Sequence, residues 1–152
     1  MLQVGDKAPD FTLPDSNMEL NTLSDIYREN TVVLYFYPRD DTPGCTIQAT
    51  DFTDMLADFE KLGARVVGVS RDDCFSHQSF IDKFGLLITL LADVESDASN
   101  AFGVLQQNPD SGRISAIRAS FVIDKAGVIR YAEYGVQPKG HARMLLDLLK
   151  DI

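Results

Sequence analysis

The sequence predicts an α/β fold, with one mixed central β-sheet and helices on both of its faces. Apolar β-branched runs alternate along the chain with segments whose apolar residues recur at helical spacing. The last third of the chain adds two strands joined by a short turn, and then a final amphipathic helix. Crossover helices imply parallel strand pairs, whereas a hairpin adds antiparallel ones, so the sheet is expected to be mixed.

The N-terminal part of the chain is predicted to form a β-hairpin followed by a buried strand. The short segments 11–13 and 18–20 flank residues 14–17, Pro-Asp-Ser-Asn, whose side chains favour a turn. Residues 31–37, TVVLYFY, form a continuous β-branched and aromatic run, which is typical of a strand buried on both faces. Pro38 ends this run.

The middle of the chain alternates helices and strands. Five apolar side chains predict a helix over about residues 42–62, closed by Gly63. A second strand is predicted over residues 64–70, and a second helix over residues 76–84, followed by Gly85. The apolar side chains of the first helix are Phe52, Met55, Leu56, Phe59 and Leu62.

The remaining elements complete the predicted sheet. A short strand is expected over residues 86–91 and a short helix over 96–102. Strands over 117–124 and 128–135 are joined by a tight turn, and an amphipathic helix covers 140–152. The order β-α-β-α-β, hairpin, helix is the thioredoxin-like pattern, with additions at the N-terminus and in the middle.

Length and composition favour a single domain over residues 1–152, because 45% hydrophobic residues are enough to build a core. The formal net charge of -9 argues against nucleic acid or an anionic membrane surface as partner. No segment is long and apolar enough to span a bilayer, and the N-terminus has no features of a secretory signal. A cytoplasmic protein is therefore expected.

The chain has two cysteines, Cys45 and Cys74, and no C-x-x-C pair. A disulfide scaffold would need more cysteines in a shorter chain. Thr42-Pro43-Gly44-Cys45 lies where the buried strand passes into the first long helix, and Thr and Pro favour the N-cap and the first helical position. Cys45 is therefore placed in the first turn, where unpaired N–H groups and the positive helix end favour a nucleophilic thiolate.

The segment YPRDDTPGCT, residues 37–46, resembles the signature of the peroxiredoxin family, specifically its Q-type or bacterioferritin-comigratory branch. Residues 4–13, 68–72 and 117–124 are also similar to that branch, so the resemblance covers essentially the whole chain. It implies a thiol-dependent peroxidase that reduces hydrogen peroxide and organic hydroperoxides and is recycled by thioredoxin or another thiol. It implies no cofactor, and a monomer or weak dimer.

The resemblance also implies roles for individual residues. Cys45 looks like the peroxidatic cysteine, whose thiolate attacks the peroxide and becomes a sulfenic acid. Thr42 would hydrogen-bond the sulfur or the peroxide, and Pro38 would shield the pocket from water. Backbone N–H groups near Gly44 and Cys45 would hold the peroxide oxygens. Arg118 would face the thiolate from a neighbouring strand.

Simpler roles are open for several of these residues. Cys45 could be a buried structural thiol, Thr42 only an N-cap, Pro38 only the end of a strand and Arg118 an outward charge on a strand. Gln48, one turn after Cys45, belongs either to the hydrogen-bond network of the site or to the solvent-facing side of the helix.

The other polar residues near the motif are expected to be structural. Asp40 and Asp41 are interpreted as loop charges, His77 as local capping structure and His141 as a solvated side chain. Two histidines without a cluster of carboxylates or cysteines predict no metal site.

The recycling step is less well specified. Q-type relatives carry a resolving cysteine at the position of Thr50 or at the position aligned with Ile81, and neither residue is cysteine here. Cys74 is the candidate that remains, since its loop and the Cys45 turn are expected at the same edge of the sheet. Either Cys74 resolves the sulfenic acid, or Cys74 is an inert filler and an external thiol does so.

Two other functions are open to a chain with this sequence. A thioredoxin-fold binding or scaffold protein would need neither a reactive Cys45 nor Arg118. A disulfide oxidoreductase would be expected to carry the missing C-x-x-C pair.

Overall fold

The computed structural model describes all 152 residues. In chain order the elements are β1 (Thr12–Pro14), β2 (Leu20–Thr22), α1 (Leu23–Glu29), β3 (Thr31–Phe36), α2 (Pro43–Asp54), α3 (Leu56–Lys61), β4 (Ala64–Ser70), α4 (Cys74–Phe84), β5 (Thr89–Ala92), α5 (Asp97–Ala101), β6 (Leu105–Gln107), β7 (Ile114–Ala116), β8 (Ala119–Ile123), β9 (Ile129–Tyr134) and α6 (His141–Lys150). None of these helices combines the length and the apolar character needed to cross a membrane.

The central sheet has five strands in the order β5-β4-β3-β8-β9. β3 pairs in parallel with β4, and β4 with β5, because helices connect these strands. β8 pairs antiparallel with β3 and β9, so the predicted mixed sheet is confirmed. β3 is therefore the central strand, and its C-terminal end leads directly to the turn that carries Cys45.

Both faces of the sheet are covered. The alternating side chains of β3 divide the core, since Leu34 lies in one cluster and Tyr35 in the other. The first cluster joins the sheet to α1, α5 and the N-terminal hairpin. The second joins it to α2, α4 and α6, and contains Cys45. Helices on both faces, as predicted, thus bury the cysteine against the middle of the sheet.

The N-terminal hairpin forms as predicted, with small shifts at its ends. β1 and β2 pair antiparallel, with Thr12 opposite Thr22. The helix α1 follows at once and had not been predicted, because its seven residues are too short to show a clear helical period.

The first long helix is interrupted, in contrast to the single helix predicted over residues 42–62. Met55 has φ −100° and ψ 5°, and it separates α2 from α3. Side chains two turns apart along a straight helix are separated by about 10 Å of rise. The ring centroids of Phe52 and Phe59 nevertheless lie 5.8 Å apart, because the break turns α3 so that both rings enter the same core.

The strand predicted over residues 117–124 forms over a shorter range, as β8 (Ala119–Ile123), and the short strand β7 precedes it. β7 ends at Ala116 and pairs with β6, and β8 begins at Ala119 and enters the main sheet. Arg118 lies at the junction, where its carbonyl oxygen accepts hydrogen bonds from the N–H groups of Gly135 and Val136. The small β6–β7 hairpin had been missed because each strand has only three residues.

Candidate active site

The N-terminus of α2 presents Cys45 as the sequence predicts. Thr42 is extended, with φ −104° and ψ 156°, Pro43 begins the helix, and the N–H of Thr46 bonds the carbonyl of Thr42 at 2.9 Å. The Thr42 hydroxyl makes no capping bond and donates instead to the carbonyl oxygen of Arg39 at 3.0 Å. The first-turn N–H groups next to Cys45 are therefore not occupied by the cap side chain.

Arg118 reaches the same turn from the segment between β7 and β8. A Cβ atom built on Gly44 would lie 2.5 Å from Nη2 of Arg118, so the guanidinium packs against the bare backbone of that glycine. Its Nη1 donates to Oε1 of Gln48 at 3.0 Å, which holds the guanidinium in place. The structure thus brings Arg118 and Gln48 beside the turn that carries Cys45.

Cys45 itself is 1% exposed and belongs to the core between α2 and the sheet. Pro38, in contrast, is exposed, and together with Thr42 it borders a cleft at the surface. The site therefore consists of a buried sulfur behind a turn whose polar and prolyl groups face solvent.

Two buried polar atoms near Cys45 lack a hydrogen-bond partner, namely the Tyr35 hydroxyl and Nε2 of Gln48. Burial, then the negative charges of the Cys45 thiolate and Asp40, raise the pKa of Tyr35 well above its usual value. The Tyr35 hydroxyl therefore keeps its proton and can donate a hydrogen bond. Sequence reasoning missed Tyr35, although its position in a buried strand leading to Cys45 gave a signal.

Asp40 is buried, contrary to its interpretation as a loop charge. It accepts hydrogen bonds from the Tyr37 hydroxyl at 2.6 Å and from Ser76 Oγ at 2.8 Å. Its Oδ2 also lies 2.7 Å from Nδ1 of His77, and its backbone N–H donates to Asp72 at 2.8 Å. A carboxylate can be buried here because several donors surround it.

His77 is fully buried, so its interpretation as local capping structure was wrong; Asp73 is the residue that caps α4, through the N–H of Ser76. Nε2 of His77 lies 2.9 Å from the carbonyl oxygen of Leu91. A carbonyl oxygen only accepts hydrogen bonds, so Nε2 of His77 carries a hydrogen. Burial, and next the charge of Asp40, raise the pKa of Tyr37 well above its usual value, so Tyr37 also remains a donor.

Cys74 is the first residue of α4, two residues earlier than the predicted start of that helix. It is half-buried, and both cysteines are free thiols. Burial, together with the carboxylates of Asp73 and Asp15, raises the pKa of the Cys74 thiol. Cys74 therefore remains protonated in a surrounding of negative charge.

His141 is buried at the start of α6, so the prediction of a solvated side chain was wrong. Its Nε2 lies 2.8 Å from Ser120 Oγ, and its Nδ1 lies 3.8 Å from Glu133. Burial lowers the pKa of His141, and the carboxylate of Glu133 offsets this in part. The structure contains no group of three or more histidine, cysteine, aspartate or glutamate side chains placed to hold a metal ion.

Known proteins share the sequence pattern and the fold of this chain. The sequence pattern of the AhpC/TSA family matches residues 4–132. The chain belongs to this family. It is 39% identical over 153 residues to the peroxiredoxin Bcp of Bacillus subtilis, covering 99% of this chain and 97% of the relative.

Solved structures give the same result. A mutant of PrxQ from Xylella fastidiosa has a TM-score of 0.93 at 34% identity, covering 99% of this chain and 97% of the other. The peroxidoxin BcpB of Mycobacterium tuberculosis has a TM-score of 0.92 at 30% identity, covering 100% and 99%. The predicted thioredoxin-like fold and the predicted family are thus confirmed for this peroxiredoxin.

Membership in the peroxiredoxin family also decides the enzyme class, because peroxiredoxins are thiol-dependent peroxidases. The scaffold protein and the disulfide oxidoreductase are both disfavoured.

Proposed function

We propose that Cys45 reduces hydrogen peroxide and organic hydroperoxides, and that the resulting sulfenic acid is recycled by thioredoxin or another thiol. The observation that carries this proposal is the guanidinium of Arg118 packed against Gly44, in the helical turn that holds Cys45. A cation and a helix N-terminus meet at this turn, and both favour an anion there.

The first half-reaction is a displacement at oxygen. The Cys45 thiolate attacks the terminal oxygen of the peroxide, an S–O bond forms and the O–O bond breaks. The remaining oxygen leaves with the electron pair, takes up a proton and departs as water or an alcohol. The sulfur is oxidised to the sulfenic acid, and the peroxide is reduced.

The surrounding groups suit this step. The helix end contributes about 0.3–1 kcal/mol to holding an anion, and Arg118 adds a full positive charge with several donors. Because the Thr42 hydroxyl donates to Arg39, its oxygen can accept a hydrogen bond from the O–H of the incoming peroxide. The Tyr35 hydroxyl and the Gln48 amide are further donors without a partner in the chain.

The second half-reaction needs a thiol. A thiol displaces the sulfenic hydroxyl as water and forms a disulfide with Cys45; another thiol then reduces that disulfide and regenerates the Cys45 thiol. We propose an external thiol for the first of these steps. In support, Thr50 and Ile81 occupy the two positions of the resolving cysteine in Q-type relatives, and the raised pKa of Cys74 disfavours its thiolate.

The direct test is consumption of hydrogen peroxide by the purified protein with excess dithiothreitol, and then with thioredoxin and its reductase. The Cys45→Ser variant is expected to lose turnover while it keeps the wild-type circular dichroism spectrum. Substantial turnover in Cys45→Ser would contradict the assignment of Cys45.

We further propose a monomer or weak dimer that works in the cytoplasm without nucleic acid or membrane. The net charge of -9 supports the lack of affinity for phosphate-rich partners, and the two free thiols suit a reducing compartment. Light scattering coupled to size-exclusion chromatography would measure the oligomeric state, and a stable larger assembly would contradict this part of the proposal.

A further inference from the structure

A cleft with a volume of about 530 Å³ opens beside the catalytic turn. Pro38 and Thr42 form one side of it, and three arginines, Arg39, Arg71 and Arg113, form much of the rest. Sites for small molecules commonly enclose about 300–1,000 Å³, so this cleft has the size of a substrate site. Its position allows a bound molecule to reach the turn that holds Cys45.

The three arginines of this arginine cleft form no ion pair within the protein, although the chain carries an excess of acidic residues. The side chains of Arg39 and Arg113 are exposed and make no hydrogen bond. Surface arginines elsewhere do find carboxylates, as Arg130 does with Asp124 at 3.4 Å. The cleft therefore concentrates unpaired positive charge in an acidic protein.

Among the three arginines of the cleft, Arg71 is held in place by hydrogen bonds. Its Nε donates to Ser96 Oγ at 2.8 Å, and its Nη1 donates to the carbonyl oxygen of Ile114 at 2.8 Å. A guanidinium has five N–H donors, so three remain for a ligand. The same bond to Ile114 fastens β7, which follows Arg113, against the cleft.

One carboxylate, Asp72, also lines the cleft. Its Oδ2 accepts hydrogen bonds from the N–H of Asp40, in the catalytic turn, and from Ser70 Oγ, at the end of β4. Three arginines and one aspartate leave a formal local charge of +2, and an anion is still favoured.

We propose that the arginine cleft binds the carboxylate of an anionic substrate while the reactive end of that substrate reaches Cys45. The guanidinium fork matches a carboxylate with two parallel hydrogen bonds, and a carboxylate is an anionic group that organic hydroperoxides and small thiols can carry. The carboxylate belongs either to an organic hydroperoxide or to the small thiol that reduces the sulfenic acid. This inference rests on the proposed peroxidase function.

The test compares matched substrates in wild-type protein and in the Arg39→Gln/Arg113→Gln double variant. The peroxide pair is a fatty acid hydroperoxide and its methyl ester, and the thiol pair is 3-mercaptopropionate and 2-mercaptoethanol. The ratio of kcat/KM for the charged member to that for the neutral member is expected to fall about tenfold in the double variant, as for loss of a charge-assisted contact. Arg130→Gln, a matched loss of charge away from the cleft, is expected to leave the ratio at its wild-type value.

The outcomes distinguish failure of the cleft proposal from failure of the proposed peroxidase function. A fall in the peroxide pair assigns the carboxylate to the oxidant, and a fall in the thiol pair assigns it to the reductant. If hydrogen peroxide is consumed by the wild type but neither ratio responds to the double variant, the cleft proposal is wrong and the peroxidase remains. If hydrogen peroxide is not consumed at all, the proposed function fails first.

Binding can be measured without turnover. Titration of the reduced protein with succinate is expected to shift the NMR signals of backbone amides in the cleft, including those of Arg71 and Ser115. The double variant is expected to lose these shifts. Shifts of equal size in both proteins would overturn the proposal.

Discussion

Nδ1 of His77 lies 2.7 Å from the carboxylate of Asp40, while Nε2 lies 2.9 Å from the carbonyl oxygen of Leu91. Asp40 belongs to the turn between β3 and α2, whereas His77 lies in the first turns of α4. The pair therefore fastens the catalytic turn to the neighbouring helix. Because both side chains are buried, loss of either partner removes a hydrogen bond that water cannot readily replace.

His77→Phe is expected to lower the free energy of unfolding by about 1–3 kcal/mol, because the buried Asp40 carboxylate loses one of its hydrogen-bond partners. Urea unfolding at pH 7 would measure this, with Gln78→Ala, a change on the same helix outside the network, as the control. Equal stability of the two variants would contradict a structural role for the pair.

Arg118→Met is expected to slow the reaction of Cys45 with hydrogen peroxide by about tenfold or more, because hydrogen bonds to charged groups contribute about 1.5–3 kcal/mol. Stopped-flow kinetics would measure the rate, and iodoacetamide alkylation at pH 7 would report the thiolate. Arg130→Met is the control for the lost charge. If Arg118→Met alkylates and reacts with peroxide at the wild-type rate, Arg118 has no part in the site.

Gly44→Ala is expected to displace the guanidinium, since the added Cβ would lie 2.5 Å from Nη2 of Arg118. Peroxide reactivity should fall with little change in the circular dichroism spectrum. In a double-mutant cycle, Gly44→Ala should add almost nothing to Arg118→Met, because both changes remove the same interaction. Additive losses would show that Gly44 acts independently of Arg118.

His141 is expected to make the protein less stable below neutral pH. Burial lowers the pKa of His141 in the folded state, so below its ordinary value of 6.5 the unfolded chain binds a proton that the folded chain resists. The free energy of unfolding therefore falls as the pH decreases from 7 to 5. In His141→Gln this part of the pH dependence should disappear, as urea unfolding at several pH values would show. If the free energy of unfolding of the variant falls between pH 7 and 5 as steeply as that of the wild type, His141 is not responsible.

Cys74 can be tested directly as the resolving cysteine. Reduced protein is treated with one equivalent of hydrogen peroxide and digested without reductant. With an external resolving thiol, mass spectrometry is expected to find sulfenic acid at Cys45 and no Cys45–Cys74 peptide, and Cys74→Ser should keep thioredoxin-supported turnover. A Cys45–Cys74 disulfide, with turnover lost in Cys74→Ser, would instead establish resolution within the chain.

The sequence alone was enough to predict the sheet, the placement of Cys45 and the family, because these depend on local patterns. Strand 31–37 shows its burial through a continuous apolar run, and Thr42-Pro43 marks a helix start through cap preferences. Short elements such as α1 and the β6–β7 hairpin carry too few residues for a period to appear.

The tertiary structure decided which distant polar groups meet. Asp40 and His77 are 37 residues apart, and each looks like an ordinary polar residue within its own segment. The arginine cleft likewise joins residues from three separate loops and strand ends. Burial and pairing of such groups depend on how β3, β4 and the small β6–β7 hairpin are packed together, and that packing is a property of the folded chain rather than of any local pattern.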